Sequence, residues 1–194
     1  SEQNPICCEN YVVSNFSLFE KTMSHNLYTH LRAAFPSDLQ HIAVETVDAG
    51  LAPQFYSWLD LEQGSAMLAN ALQSLGVRTG DRVAVQTQKS VEAMMLYLAT
   101  LRVGAVFVPL NTAYQEGEMT HFISDCTPTV VVCDAANEAW LSPLCAEHGV
   151  AKLMTLNANR TGSLLALAAQ QARSFATVTS QPDDIAAILY TSGT

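Results

Sequence analysis

Apolar positions along this 194-residue chain change their period several times, and each change marks an element. Residues 1–22 are polar apart from one patch (Tyr11, Val12, Val13, Phe16, Leu18 and Phe19) and hold no sustained period. Over 24–35, Leu27, Leu31 and Ala34 recur at helical spacing; Pro36 closes that helix, because proline has no amide to donate and its ring clashes with the preceding turn. Two short strands are expected over 42–47 and 54–58, folded about Gly50 and Pro53 as a hairpin. A long helix follows over 59–75, with Leu61, Leu68, Leu72 and Leu75 on its apolar side and Gly76 in place for a left-handed cap.

From residue 81 strands and helices alternate. Strands are expected over 81–86, 105–110, 129–133, 152–156 and 185–190, the last one buried. Helices are expected over 91–102, begun by Ser90 and stopped by Gly104, and over 116–124, 140–147 and 163–173. Continuously apolar strands separated by amphipathic helices predict an α/β fold, a mostly parallel sheet with helices on both faces. No internal repeat or low-complexity linker follows residue 22. The chain therefore divides into residues 1–22, an N-terminal extension or tag-like arm, and one α/β unit over 23–194. Met23 is the more natural beginning, with an ordered N-terminal arm as the alternative.

Composition narrows the function classes. A hydrophobic content of 49% is enough for a packed core, and a formal charge of −9 without any basic run argues against a nucleic-acid partner. The five cysteines, at 7, 8, 126, 133 and 145, make a poor disulfide framework and fit a reducing compartment. His25, His30, His41, His121 and His148 form no zinc signature. No stretch approaches the roughly 20 apolar residues that cross a bilayer, and the start lacks a basic signal region, so a cytoplasmic protein without a membrane partner is expected.

In parallel α/β sheets ligands bind beyond the carboxyl ends of the strands, which directs attention to the loops after Gln86, Leu110, Cys133 and Tyr190. Only the last is chemically suggestive. Thr191, Ser192, Gly193 and Thr194 follow an apolar strand directly and combine hydroxyl donors, backbone N–H groups and a glycine that admits close approach, the ingredients of a cradle for phosphate oxygens. Four small residues after a strand also suit an ordinary turn. Neither a Walker lysine loop nor a Gly-x-Gly-x-x-Gly fingerprint occurs. Lys89 reads as a solvated lysine and the run 94–98 as helix core.

The run from Pro182 to Thr194, with Ile185-Ala186-Ala187-Ile188-Leu189-Tyr190 ahead of Thr191-Ser192-Gly193-Thr194, resembles the entry to the phosphate loop of the adenylate-forming superfamily of acyl-CoA synthetases, luciferases and peptide-synthetase adenylation domains. Residues 101–111, 55–61 and 75–85 are similar to further segments of that family, in the same order. Residues 85–93, 110–114 and 162–165 look most like malonyl-CoA and methylmalonyl-CoA synthetases. The resemblance implies the first part of the large N-terminal domain of such an enzyme, using ATP, Mg²⁺ and coenzyme A to convert malonate or methylmalonate into its thioester through an acyl-adenylate. It names Thr191, Ser192, Gly193 and Thr194 as ATP phosphate-loop residues and assigns no catalytic or metal-binding residue within the chain. It also implies that the chain stops inside that loop, ahead of its lysine, and that a piece of this length alone is inactive; oligomerisation stays open. The other readings are a different acyl-, aryl- or amino-acid-adenylating enzyme, and a non-catalytic α/β module that binds or dimerises.

Overall fold

A computed structural model describes residues 24–47 and 53–190. The 1–22 arm, Cys7, Cys8, the expected hairpin tip at Gly50 and the four phosphate-loop candidates Thr191 to Thr194 lie outside the described residues.

Helix α1 (Leu27–Ala33) opens at Asn26, whose side chain accepts a hydrogen bond from the Tyr28 amide. Strands β1 (Ile42–Thr46) and β2 (Gln54–Ser57) pair antiparallel, with Glu45 opposite Phe55. Ser57 ends β2 and caps α2 (Trp58–Ser74): its hydroxyl accepts from the Asp60 amide while the Asp60 carboxylate accepts from the Ser57 amide, a reciprocal box that satisfies two donors with no helical partner. Helix α3 (Val91–Val103) starts at Ser90 and ends at Gly104, at φ 72°. A side chain on Gly104 would also stand 2.7 Å from Val178, so backbone conformation and packing both require glycine there.

The remaining elements are β3 (Arg82–Gln86), β4 (Val106–Pro109), α4 (Glu116–Cys126), β5 (Val130–Cys133), α5 (Ala135–Glu147), β6 (Lys152–Thr155) and α6 (Ser163–Ala168). The strands form a parallel sheet in the order β4-β3-β5-β6. Alternation along each strand sends side chains to opposite faces. Val83, Val85, Val130 and Val132 pack with α2, α3 and α6, while Ala84, Val131 and Cys133 pack with α4 and α5. Helices therefore cover both faces, as the sequence pattern predicts. No helix among the described residues is long and apolar enough to cross a membrane.

Three expectations need correction. Helix α5 begins at Ala135 rather than at 140, because Asp134 turns the chain into the helix before any apolar period starts. Helix α6 ends at Ala168 and does not reach 173; the Asn70 amide donates to the Ala172 and Ser174 carbonyls, holding that segment in another path. Residues 185–190 are not a buried strand. They lie along the free edge of β4 through a parallel bridge between Phe107 and Ala187, leaving Ile185 61% and Leu189 71% exposed.

Candidate functional site

The loops that follow β3, β4 and β5 meet at the carboxyl edge of the sheet, and buried polar side chains tie them together. Gln86, at the end of β3, is fully buried; its amide donates to the carbonyls of Asn111 (3.1 Å) and Tyr114 (2.9 Å) beyond β4. Its oxygen accepts from Asn137 in the first turn of α5. A buried amide left unpaired would cost on the order of 1–3 kcal/mol, so these bonds fix where the loops run. Asp134, after β5, accepts from the Gln88 amide, and the Asn157 side chain accepts from the Ala135 amide, linking β6 to the same edge. Sequence reasoning pointed to these loops but missed the clasp, whose partners are 25 or more residues apart.

The segment leading to residues 191–194 reaches this edge from outside β4. The Phe107 amide donates to the Ala186 carbonyl and the Ile188 amide to the Phe107 carbonyl, both at 3.0 Å, so the segment runs parallel to the sheet and delivers its end to the carboxyl side. Ala186, Ile188 and Tyr190 turn inward in alternation. The Tyr190 ring packs 4.4 Å from Phe122 on α4, and its hydroxyl donates to the Asp125 carboxylate at 2.6 Å. Burial first, and then that hydrogen bond, push the Tyr190 phenol above its ordinary value, so it remains a donor at neutral pH.

Chemistry elsewhere is sparse. Cys126, Cys133 and Cys145 are buried free thiols, and burial pushes Cys133 up to about 12 and Cys145 up to about 11, making them inert core groups. Among the described residues no three His, Cys, Asp or Glu side chains converge to hold a metal ion. Lys89 is exposed, and Met95 packs in the core. Beside β2 two clefts, of about 370 and 280 Å³, flank Arg160, which reaches the buried Glu92 at 3.3 Å; Tyr56 donates to the same carboxylate at 2.8 Å. That network pairs the Glu92 carboxylate with Arg160 and Tyr56 beside the clefts.

Known proteins share this fold. The family described as AMP-binding enzyme matches residues 36–194. ATP-bound MatB from Rhodopseudomonas palustris superposes with a TM-score of 0.81 at 43% identity, over 88% of this chain and 33% of that one. The medium-chain fatty-acid–CoA ligase of Escherichia coli (strain K12) is 30% identical over 153 residues, 72% of this chain and 26% of the ligase. Malpinin synthetase of Mortierella alpina is 31% identical over 71% of this chain and 2% of its own length. The chain thus spans about a third or less of the proteins it resembles.

Proposed function

Because this chain belongs to the family of AMP-binding enzymes, we propose that the protein carrying it is a malonyl-CoA synthetase, joining malonate or methylmalonate to AMP and then to coenzyme A. The observation that carries the reading is the 43% identity to ATP-bound MatB over 88% of the chain. In the first step a carboxylate oxygen attacks the α-phosphorus of ATP and pyrophosphate leaves. In the second the thiol of coenzyme A attacks the acyl carbon, a thioester forms and AMP departs.

Thr191, Ser192, Gly193 and Thr194 act in the first step. Their hydroxyls and amides hold the departing phosphates, where electrostatic stabilisation and positioning supply the rate. They follow Tyr190 in sequence, and the segment ending at Tyr190 runs to the carboxyl edge, where α/β sheets take their ligands. Mg²⁺, which would neutralise phosphate charge, enters the reading through the family. Coenzyme A enters the reading through the family alone. The 30% identity to a medium-chain fatty-acid–CoA ligase supports a second reading, a ligase of the same chemistry with an aliphatic acid.

Isotope exchange between ATP and pyrophosphate tests both readings on the natural gene product. Malonate, methylmalonate, a medium-chain fatty acid and a set of amino acids are each supplied as the only carboxylate. Exchange that depends on malonate or methylmalonate is expected. Exchange with the fatty acid or an amino acid alone transfers the assignment to that substrate class, and exchange with none overturns the adenylating function.

A further inference from the structure

The chain just ahead of the phosphate-loop candidate carries Tyr190, whose hydroxyl reaches α4 at the Asp125 carboxylate and beside the Cys126 thiol. Tyr190 packs its ring on Phe122, which itself lies 4.9 Å from Tyr114, and phenylalanine would make those contacts equally well. What tyrosine adds is the hydroxyl, placed 2.6 Å from Asp125 Oδ2 in the last turn of α4. This is a short bond to a charged acceptor, the stronger and more directional kind. Asp125 enters none of the ion pairs among the described residues, so Tyr190 is not competing with a basic partner for it. The bond lies in a solvent-accessible position, where its net contribution to folding is small. Its consequence is geometric: together with the two backbone bonds to Phe107 it fixes the chain at the residue immediately before Thr191.

We propose that Tyr190 and Asp125 are a positioning pair, through which α4 sets the entry of the phosphate loop and thereby the affinity for the phosphates of ATP. The inference rests on the reading of residues 191–194 given above. Tyr190 touches no reacting atom in this scheme; it acts through Thr191 to Thr194. Loss of the pair therefore weakens MgATP and spares the carboxylic acid, a separation that loosened core packing would not produce.

The test uses the gene product with Tyr190→Phe, Asp125→Ala, Asp125→Asn and the double change Tyr190→Phe with Asp125→Ala. KM for MgATP and for the acid are measured in pyrophosphate exchange, with whichever carboxylate supports exchange in the unmodified protein. Tyr190→Phe is expected to raise KM for MgATP about five- to tenfold, the effect of one solvent-accessible hydrogen bond of ordinary net strength, while KM for the acid stays within about twofold. The double change is expected to be no worse than either single one, since both remove the same bond. Asp125→Asn retains an acceptor oxygen and is expected to recover most of the affinity. If Asp125→Ala does not fold, Tyr190→Phe and Asp125→Asn carry the test. An unchanged KM for MgATP in Tyr190→Phe, a parallel rise for ATP and acid, or additive losses in the double variant overturns the pair. An unmodified protein that exchanges with no carboxylate removes the phosphate-loop reading and the pair with it, an outcome distinct from failure in the variants alone.

Discussion

Arg102 joins four parts of the fold through a guanidinium that is 4% exposed and faces no carboxylate of its own. It donates to the Glu62 carbonyl at 2.8 Å, the Ser65 hydroxyl at 2.9 Å and the Phe175 carbonyl at 2.9 Å. It also lies 4.5 Å from the centroid of Tyr28. Burial lowers its pKa from the usual arginine value, although the group stays charged at neutral pH. Three hydrogen bonds to neutral acceptors are worth about 3–4 kcal/mol together and a desolvated cation–π contact about 2, against a desolvation cost of several kcal/mol for the buried ion. The balance alone would be near zero, but truncation also removes the guanidinium from the Phe175 carbonyl, while Glu62 keeps its bond from Ser65, and opens a cavity. Arg102→Ala should therefore destabilise by about 4 kcal/mol, whereas Arg102→Met, which keeps the packing, should cost about 2. Urea unfolding followed by the fluorescence of Trp58 and Trp140 reads both values. If Arg102→Met unfolds within about 0.5 kcal/mol of the unmodified protein, the charge gains nothing from its partners and the joint is only packing.

Gly162 sits at φ 136°, and a Cβ there would overlap the Thr155 carbonyl oxygen and touch the Leu156 Cα. Gly162→Ala should cost about 3 kcal/mol or more in urea unfolding, whereas Gly76→Ala, at φ 94° in open space, should cost about 1; equal costs would mean the clash is relieved by a small backbone shift. Cys133 provides a pH test: burial raises its folded pKa to about 12 from the ordinary thiol value of 9.0. The unfolded thiol ionises first, so the stabilisation is fully present below pH 9 and is lost as pH rises toward 12. Stability measured from pH 8 to 11 should fall less steeply in Cys133→Ala than in the unmodified protein, and identical slopes would remove burial of Cys133 as the cause.

Elements set by a short-range signal could be read from the residues in order. Ser90 announced α3, Gly104 ended it at a positive φ, and Val130, Val131 and Val132 read as a strand covered on both sides, whereas the Ser57 cap of α2 came only with the structure. The errors arose where a distant group decides the local path. Asn70 holds the Ala172 and Ser174 carbonyls from about a hundred residues away, beyond where α6 ends. Asp134, the residue that begins α5, uses its side chain on Gln88 across the sheet edge instead of on its own helix, so the usual capping sign was faint. The candidate site divides in the same way. The run from Ile185 to Tyr190 identified itself by its wording, and its apolar character suggested burial that its place on the β4 edge does not supply. The Tyr190–Asp125 bond and the Gln86 clasp join residues 65 and 25 to 51 positions apart, and no local period encodes such partners. Apolar period thus specifies which layers form, while a few polar side chains of long sequence separation specify how the loops at the carboxyl edge are aimed. It is the second set, and not the sheet itself, that variation between relatives of the same fold would have to change in order to move the site.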